Sequence, residues 1–290
     1  MSVGAGLASI HGGVVLRWLG ASTFEIEHAG RVLLLDPFLS RPDRARPSLP
    51  ADAVDRADAI LVTHGHLEHW ADVPDLARRF GSVVYLPDDL HRMHALKARL
   101  LGHTDDERRW RSWSENRRVE VAGLIVQAFP VHREDVSAHW LRRAARAAVR
   151  GHWGPRTIAT ALRLSACHPF GSATAIHVTH AATGTAVFFF GCLTREIRSL
   201  PKHPLPVDVV AIPAAQDSDW WIDDAAGLVS LLRPRVVMLH HHDDWCPPLT
   251  SPVDLDGFGR VLRERCDVPL FVPPFATRFT FEDVLAVAKG

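Results

Sequence analysis

Along the chain the spacing of apolar residues switches repeatedly between the two-residue period of a strand and the 3.6-residue period of a helix. Short β-type runs occupy 14–18 (VVLRW), 23–27 (TFEIE) and 31–35 (RVLLL), with His28-Ala29-Gly30 punctuating the last two as a hairpin. Asp36-Pro37 stops the third run, and a proline- and arginine-rich loop follows over 41–50. The run AILVT (59–63) is continuously apolar and β-branched, which predicts a strand covered on both faces. A helix is expected over Val73 to Phe80, a strand at 83–86, a helix over Asp88 to Leu101 and one strand across 119–128. Residues 135–165 leave this rhythm: Arg142, Arg146 and Arg150 recur every fourth residue beside a Trp140, Ala144, Ala148 stripe, predicting a helical insertion with a basic face.

Beyond the insertion, strands near 172–179 and 185–190 turn about Ala182-Thr183-Gly184. Strands 207–212 and 235–239 flank a helix that starts near Asp223. A helix (254–265), a strand (270–272) and a terminal helix (281–289) complete the pattern. Strands and helices interleave without a linker or short repeat, so a single α/β domain spanning 1–290 is expected.

Composition narrows the function. The chain has 290 residues with 33 basic and 33 acidic side chains, so it carries no global positive field for nucleic acid. Its four cysteines (Cys167, Cys192, Cys246, Cys266) are scattered, as in a reducing compartment. No apolar run approaches the ~18 residues that span a bilayer. The N-terminal stretch lacks the basic start of a secretion signal, so a cytoplasmic location without stable membrane insertion is expected. The unusual count is 18 histidines, histidine being the commonest metal ligand.

Their placement carries the chemistry. Directly after AILVT comes Thr63-His64-Gly65-His66-Leu67-Glu68-His69-Trp70, three imidazoles and a carboxylate within six residues. In an extended or tightly turned segment His64 and His66 project the same way, and Glu68 and His69 reach a neighbouring point. Neutral imidazole nitrogen and carboxylate oxygen are donors that zinc accepts.

Residues 62–70 resemble the HxHxDH signature of the metallo-β-lactamase superfamily, with Glu68 where aspartate is usual. Trp18 to Phe24 and Leu35-Asp36-Pro37-Phe38 resemble the opening of its lactonase-like branch, which includes ascorbate-6-phosphate lactonase. The resemblance implies a four-layer αββα sandwich with the metal site at one edge between two sheets. It places further ligands at His132, at Cys192 in Phe190-Gly191-Cys192, and at His241, with His240 the alternative and His242 in an aromatic slot. Site one would then be His64, His66 and His132, and site two Glu68, His69, Cys192 and His241. If Cys192 is instead a small buried residue, one ion remains.

The cofactor implied is one or two zinc ions, since thiolate disfavours manganese and magnesium. The activity implied is hydrolysis of an ester, lactone or phosphoester of a small substrate, anionic if the insertion's arginines receive it, by zinc-activated water, with His64, His66, Glu68 and His69 at the reaction centre. Asp36 is read either as an acceptor that orients a ligand histidine or as a structural turn. The arginines of the insertion either receive an anion or form a solvated face. A metal-binding or regulatory relative without turnover is the alternative. A nuclease is a further one, carried only by Trp110 and Trp113 among Arg108, Arg109, Arg117 and Arg118. No nucleic-acid partner is expected, and a homo-oligomer stays open.

Overall fold

The computed structural model describes residues 13–42, 44–50, 52–100, 108–115, 117–131, 172–193, 205–214, 221–247 and 250–289. The expected insertion at 135–165 and the ligand candidate His132 lie outside the described residues.

Two seven-stranded sheets face each other. The first contains β1 (Val15–Trp18), β2 (Phe24–His28), β3 (Arg31–Leu35), β4 (Ala59–Leu61), β5 (Val83–Leu86), β6 (Trp110–Ser112) and β14 (Arg278–Thr280), in the order β14-β1-β2-β3-β4-β5-β6. The second contains β7 (Arg118–Val121), β8 (Leu124–Val131), β9 (Ala173–His180), β10 (Ala186–Phe189), β11 (Val209–Pro213), β12 (Val236–His240) and β13 (Leu270–Phe271), in the order β13-β12-β11-β10-β9-β8-β7. Each sheet is antiparallel in one half and parallel in the other: β3 to β6 run together, and so do β10 to β13.

Three apolar clusters make this a four-layer sandwich. Trp18, Phe24, Leu33, Leu61, Phe189, Ala211 and Met238 fill the space between the sheets. Outside the first sheet, Ile60, Val62 and Val84 pack on α1 (Leu67–Trp70) and α2 (Val73–Phe80) through Trp70, Val73 and Leu76. Outside the second, Phe188, Val210 and Val237 pack on α4 (Trp221–Leu232) and α5 (Leu255–Cys266) through Trp221, Leu228, Phe258 and Leu262. The remaining helices are α3 (Asp88–Leu100) and α6 (Phe281–Ala286).

The continuous apolar runs follow from this layering. Within Phe188-Phe189-Phe190 the middle ring enters the inter-sheet core, and its neighbours enter the outer one. Ala59 and Leu61 likewise face inward while Ile60 and Val62 face the helices. Burying such a side chain on either face contributes about 1.5–3 kcal/mol relative to exposure, so a strand covered twice dispenses with polar alternation.

Three local expectations change and one narrows. The 119–128 run is not one strand but a hairpin, turning at Ala122 and Gly123, both at positive φ (53° and 80°). Residues Trp110–Ser112 form an edge strand, and β14 closes the other edge against β1. Of the two forms expected for the histidine-rich segment, Leu67–Trp70 take the turned one, as a short helix. Trp110 and Trp113 are 4% and 3% exposed, which removes the stacking surface that the nuclease alternative needs. Trp110 stacks on His94, and Trp113 stacks on Tyr85 while donating its indole N–H to the Val62 carbonyl. Among the described residues no helix is long and apolar enough to cross a membrane.

Candidate metal centre

The C-terminal ends of the parallel strands share one edge of the sandwich, and the candidate ligands sit there. β3 runs into Asp36 and β4 into Thr63-His64. β10 runs into Gly191-Cys192, and β12 ends at His240 before His241. The two sheets are tied at this edge, since the Thr174 amide donates to the Thr63 carbonyl and the His241 amide to the Ala21 carbonyl.

The local chain explains how the side chains converge. His66 is extended (φ −68°, ψ 151°) and precedes the single helical turn α1, which Leu67 and Trp70 anchor in the core. That turn brings Glu68 and His69 back towards the strand. The His64 ring centroid lies 4.6 Å from that of His66 and 4.0 Å from that of His69. Glu68 Oε1 lies 3.7 Å from both His66 Nδ1 and His69 Nε2, and 3.9 Å from His241 Nε2. Donor atoms of Glu68, His69 and His241 all fall within 4.8 Å of one another.

Asp36 governs the tautomers. Its Oδ2 is 2.6 Å from His69 Nδ1 and also accepts the Thr63 hydroxyl at 2.6 Å, while Oδ1 accepts the Thr63 amide at 2.7 Å. A carboxylate only accepts, so His69 carries its proton on Nδ1 and presents the lone pair on Nε2, towards Glu68. Thr63 has one hydroxyl proton and gives it to Asp36. At 2.9 Å from His64 Nδ1 it therefore accepts, which places the His64 proton on Nδ1 as well. One buried carboxylate thus presets two imidazoles, directly and through a threonine. Gly191 makes this possible: a Cβ there would stand 2.1 Å from Thr63 Oγ1 and 3.1 Å from Asp36 Oδ2.

Burial alone would raise the Glu68 carboxyl, but His66, His69 and His241 outweigh it and hold it below its ordinary value. His241 Nδ1 is buried without a hydrogen-bond partner. Asp36 and His241 both occupy the left-handed region (φ 44° and 60°), an unfavourable conformation that clusters at functional sites. Ligand atoms around a tetrahedral zinc stand about 3.4 Å apart, so the 3.7–3.9 Å separations fit a cation held by these donors.

The other candidates are placed as follows. Cys192 is half-buried against the outer core of the second sheet and is not in the 4.8 Å group. His240 turns into the interior, its ring edge-on to Phe24 at 5.4 Å and its Nδ1 3.4 Å from the Ser22 hydroxyl. Burial, with His241 and His69 nearby, keeps His240 well below the usual imidazole range. His242 packs on Trp18 with ring centroids 4.6 Å apart. Asp243 receives Arg41 at 2.8 Å, and Asp244 accepts from Thr250.

Two neighbours carried no signal of their own in the sequence. Thr63 is the relay just described. Cys246 is buried, and desolvation together with Glu68 and Asp244 pushes its thiol up to about 12.

Comparisons agree with this geometry. Residues 15–241 match the family model described as beta-lactamase superfamily domain. A UPF0173 metal-dependent hydrolase of Thermococcus kodakarensis is 25% identical over 261 residues, covering 90% of this chain and 97% of that protein. One of Pyrococcus furiosus is 27% identical over 260 residues with the same coverage. Among solved structures, the metallo hydrolase Igni18 of Ignicoccus hospitalis shares the fold at a TM-score of 0.60 and 17% identity, covering 92% of this chain and 98% of that one. The chain therefore belongs to the beta-lactamase superfamily, and these likenesses group it with the metal-dependent hydrolases.

Proposed function

We propose that this metal-dependent hydrolase opens an ester, lactone or phosphoester bond of a small anionic substrate, with zinc as its ion. The observation that carries the reading is the buried Glu68, His69 and His241 group beside His64 and His66, with Asp36 and Thr63 fixing the proton positions. His64, His66 and His132 would hold one ion, and Glu68, His69 and His241, joined by Cys192, a second.

When bound, a zinc ion supplies Lewis acidity, lowering the pKa of water towards neutrality and polarising a carbonyl or phosphoryl oxygen. The chain's own residues do the rest. Asp36 holds the Nδ1 protons of His69 and, through Thr63, of His64, so neither imidazole must change tautomer to bind a cation. Glu68 contributes negative charge in a buried setting, where it attracts a cation more strongly than it would in water. The sheet ends bring candidate ligands from distant parts of the chain to one edge.

The test is turnover on a panel of lactones, carboxylic esters and phosphodiesters, using chelator-stripped protein with and without added zinc. Zinc-dependent turnover that His69→Ala abolishes supports the reading. Stoichiometric zinc binding with no turnover on any class would favour the metal-binding relative without hydrolysis.

A further inference from the structure

Next to the metal centre, on the same edge of the sandwich, lies a cavity of about 140 Å³. Its position follows from the topology. Pro87 and Trp113 come directly after the parallel strands β5 and β6, Pro130 lies at the C-terminal end of β8, and Ala173 opens β9. The ligand-bearing strand β4 is the neighbour of β5, and β10 is the neighbour of β9. The wall is bonded to the chain entering the centre: Trp113 donates to the Val62 carbonyl, and the Thr174 amide donates to the Thr63 carbonyl, one residue before His64.

The lining has a definite chemistry. Trp113 is fixed by its indole bond and its stack on Tyr85, so it forms a rigid apolar wall with Pro87, Ala128 and Pro130. The acids at the rim are engaged. Asp88 accepts from the Ser112 hydroxyl and the Ser114 amide, and Arg92 offsets its charge. Asp89 accepts both the amide and the hydroxyl of Ser172. Arg117 is exposed and has no ion-pair partner among the described residues. A cavity of about 140 Å³ suits a short arm of a ligand and not a large group.

We propose that this cavity is the substrate-recognition subsite of the hydrolase, taking a short apolar arm that ends in a carboxylate paired with Arg117. The proposal rests on the hydrolase reading for the word substrate, but not for the binding itself. It narrows the substrate to those that carry such an arm.

The test is equilibrium binding of propionate, with propionamide as its uncharged match, by ligand-observed NMR in excess EDTA. Wild type, Arg117→Gln and Ala128→Leu are compared, Ala128 being the lining alanine that faces between the sheets. Propionate should bind wild type saturably, weaken at least fivefold in Arg117→Gln, and be lost in Ala128→Leu. Propionamide should be indifferent to Arg117→Gln. Because Arg117 is exposed, that variant leaves the fold intact even if Ala128→Leu does not. No saturable binding to wild type, or equal propionate binding to wild type and Arg117→Gln, overturns the proposal. Propionate binding as expected, in a zinc-loaded protein that hydrolyses nothing, would fault the hydrolase reading and leave the anion subsite standing.

Discussion

His69 Nδ1 lies 2.6 Å from Asp36 Oδ2, and both groups are withdrawn from solvent, with side chains 1% and 0% exposed. The contact joins the end of β3 to the turn after β4, and it forces the free lone pair of His69 onto the nitrogen that faces Glu68. Removing the carboxylate leaves the imidazole in place but frees its tautomer and rotation. Asp36→Ala should weaken zinc affinity by about 10–100-fold, the usual cost of deleting such a partner. Thr63→Val should weaken it less, because it removes the relay to His64 but keeps the direct contact to His69. Competition with a chromophoric chelator measures both.

Gly191 is the second lever on the same network. Ala at this position would drive a methyl into Thr63 Oγ1 and towards Asp36. Gly191→Ala should destabilise the fold by about 1–3 kcal/mol, as overpacking does, and lower zinc affinity as Thr63→Val does. Gly227→Ala, in α4 with open space around the added carbon, is the control. It should be neutral or stabilising by up to about 1 kcal/mol. Urea denaturation of the apo proteins reads the stability arm.

Arg41 and Asp243 form a buried ion pair, 4% and 2% exposed, that pins the loops after β1, β3 and β12 together. Arg41 also donates to the Leu19 and Pro47 carbonyls, and Asp243 accepts the Ala21 amide. Arg41→Ala should cost about 3–5 kcal/mol, since it strands a buried carboxylate. The double variant Arg41→Met, Asp243→Asn should lose less than the sum of the two single changes. A thermodynamic cycle from denaturant melts checks the coupling.

Stability should depend on pH through groups far from the metal. Burial keeps His177 below the usual imidazole value, and burial together with His28 does so for His180. The unfolded chain then binds more protons than the folded one between the lowered value and about 6.5. Their contribution is present above 6.5 and is lost as pH falls below it. Asp58 acts in a lower window. Burial would raise it, but Arg56, the Val32 amide and Arg31 bring it down to about 2. Its contribution is present above the ordinary value of 3.8 and is lost as pH falls towards 2. Urea midpoints of chelator-treated protein should therefore fall from pH 7.5 to 5.5, less steeply in His177→Gln. Asp58→Asn should be destabilised at pH 7 and match wild type near pH 2.

Much of this was legible in the chain because layering leaves a periodic trace. A run such as AILVT is apolar since both faces of that strand are covered, and α2 falls where its period places it. The Ala122-Gly123 turn left no clear mark, because an alanine at positive φ lacks the Asn-Gly or Asp-Gly signature of a hairpin. The edge strands β6 and β14 are three residues each, too short for a period to show. At the site, the dense His64 to His69 segment and Asp36 could be read directly. Thr63 could not, since a hydroxyl relay depends on atoms that meet only in space. Nor could the inward turn of His240, which depends on the face of β12 that meets Phe24.

Zinc titration of chelator-stripped wild type against His69→Ala and His241→Ala, followed by native mass spectrometry, tests the central claim most directly. The account predicts saturable uptake of at least one ion by wild type and a marked loss in both variants. Wild-type protein that takes up no zinc, or variants that bind it equally well, would contradict it.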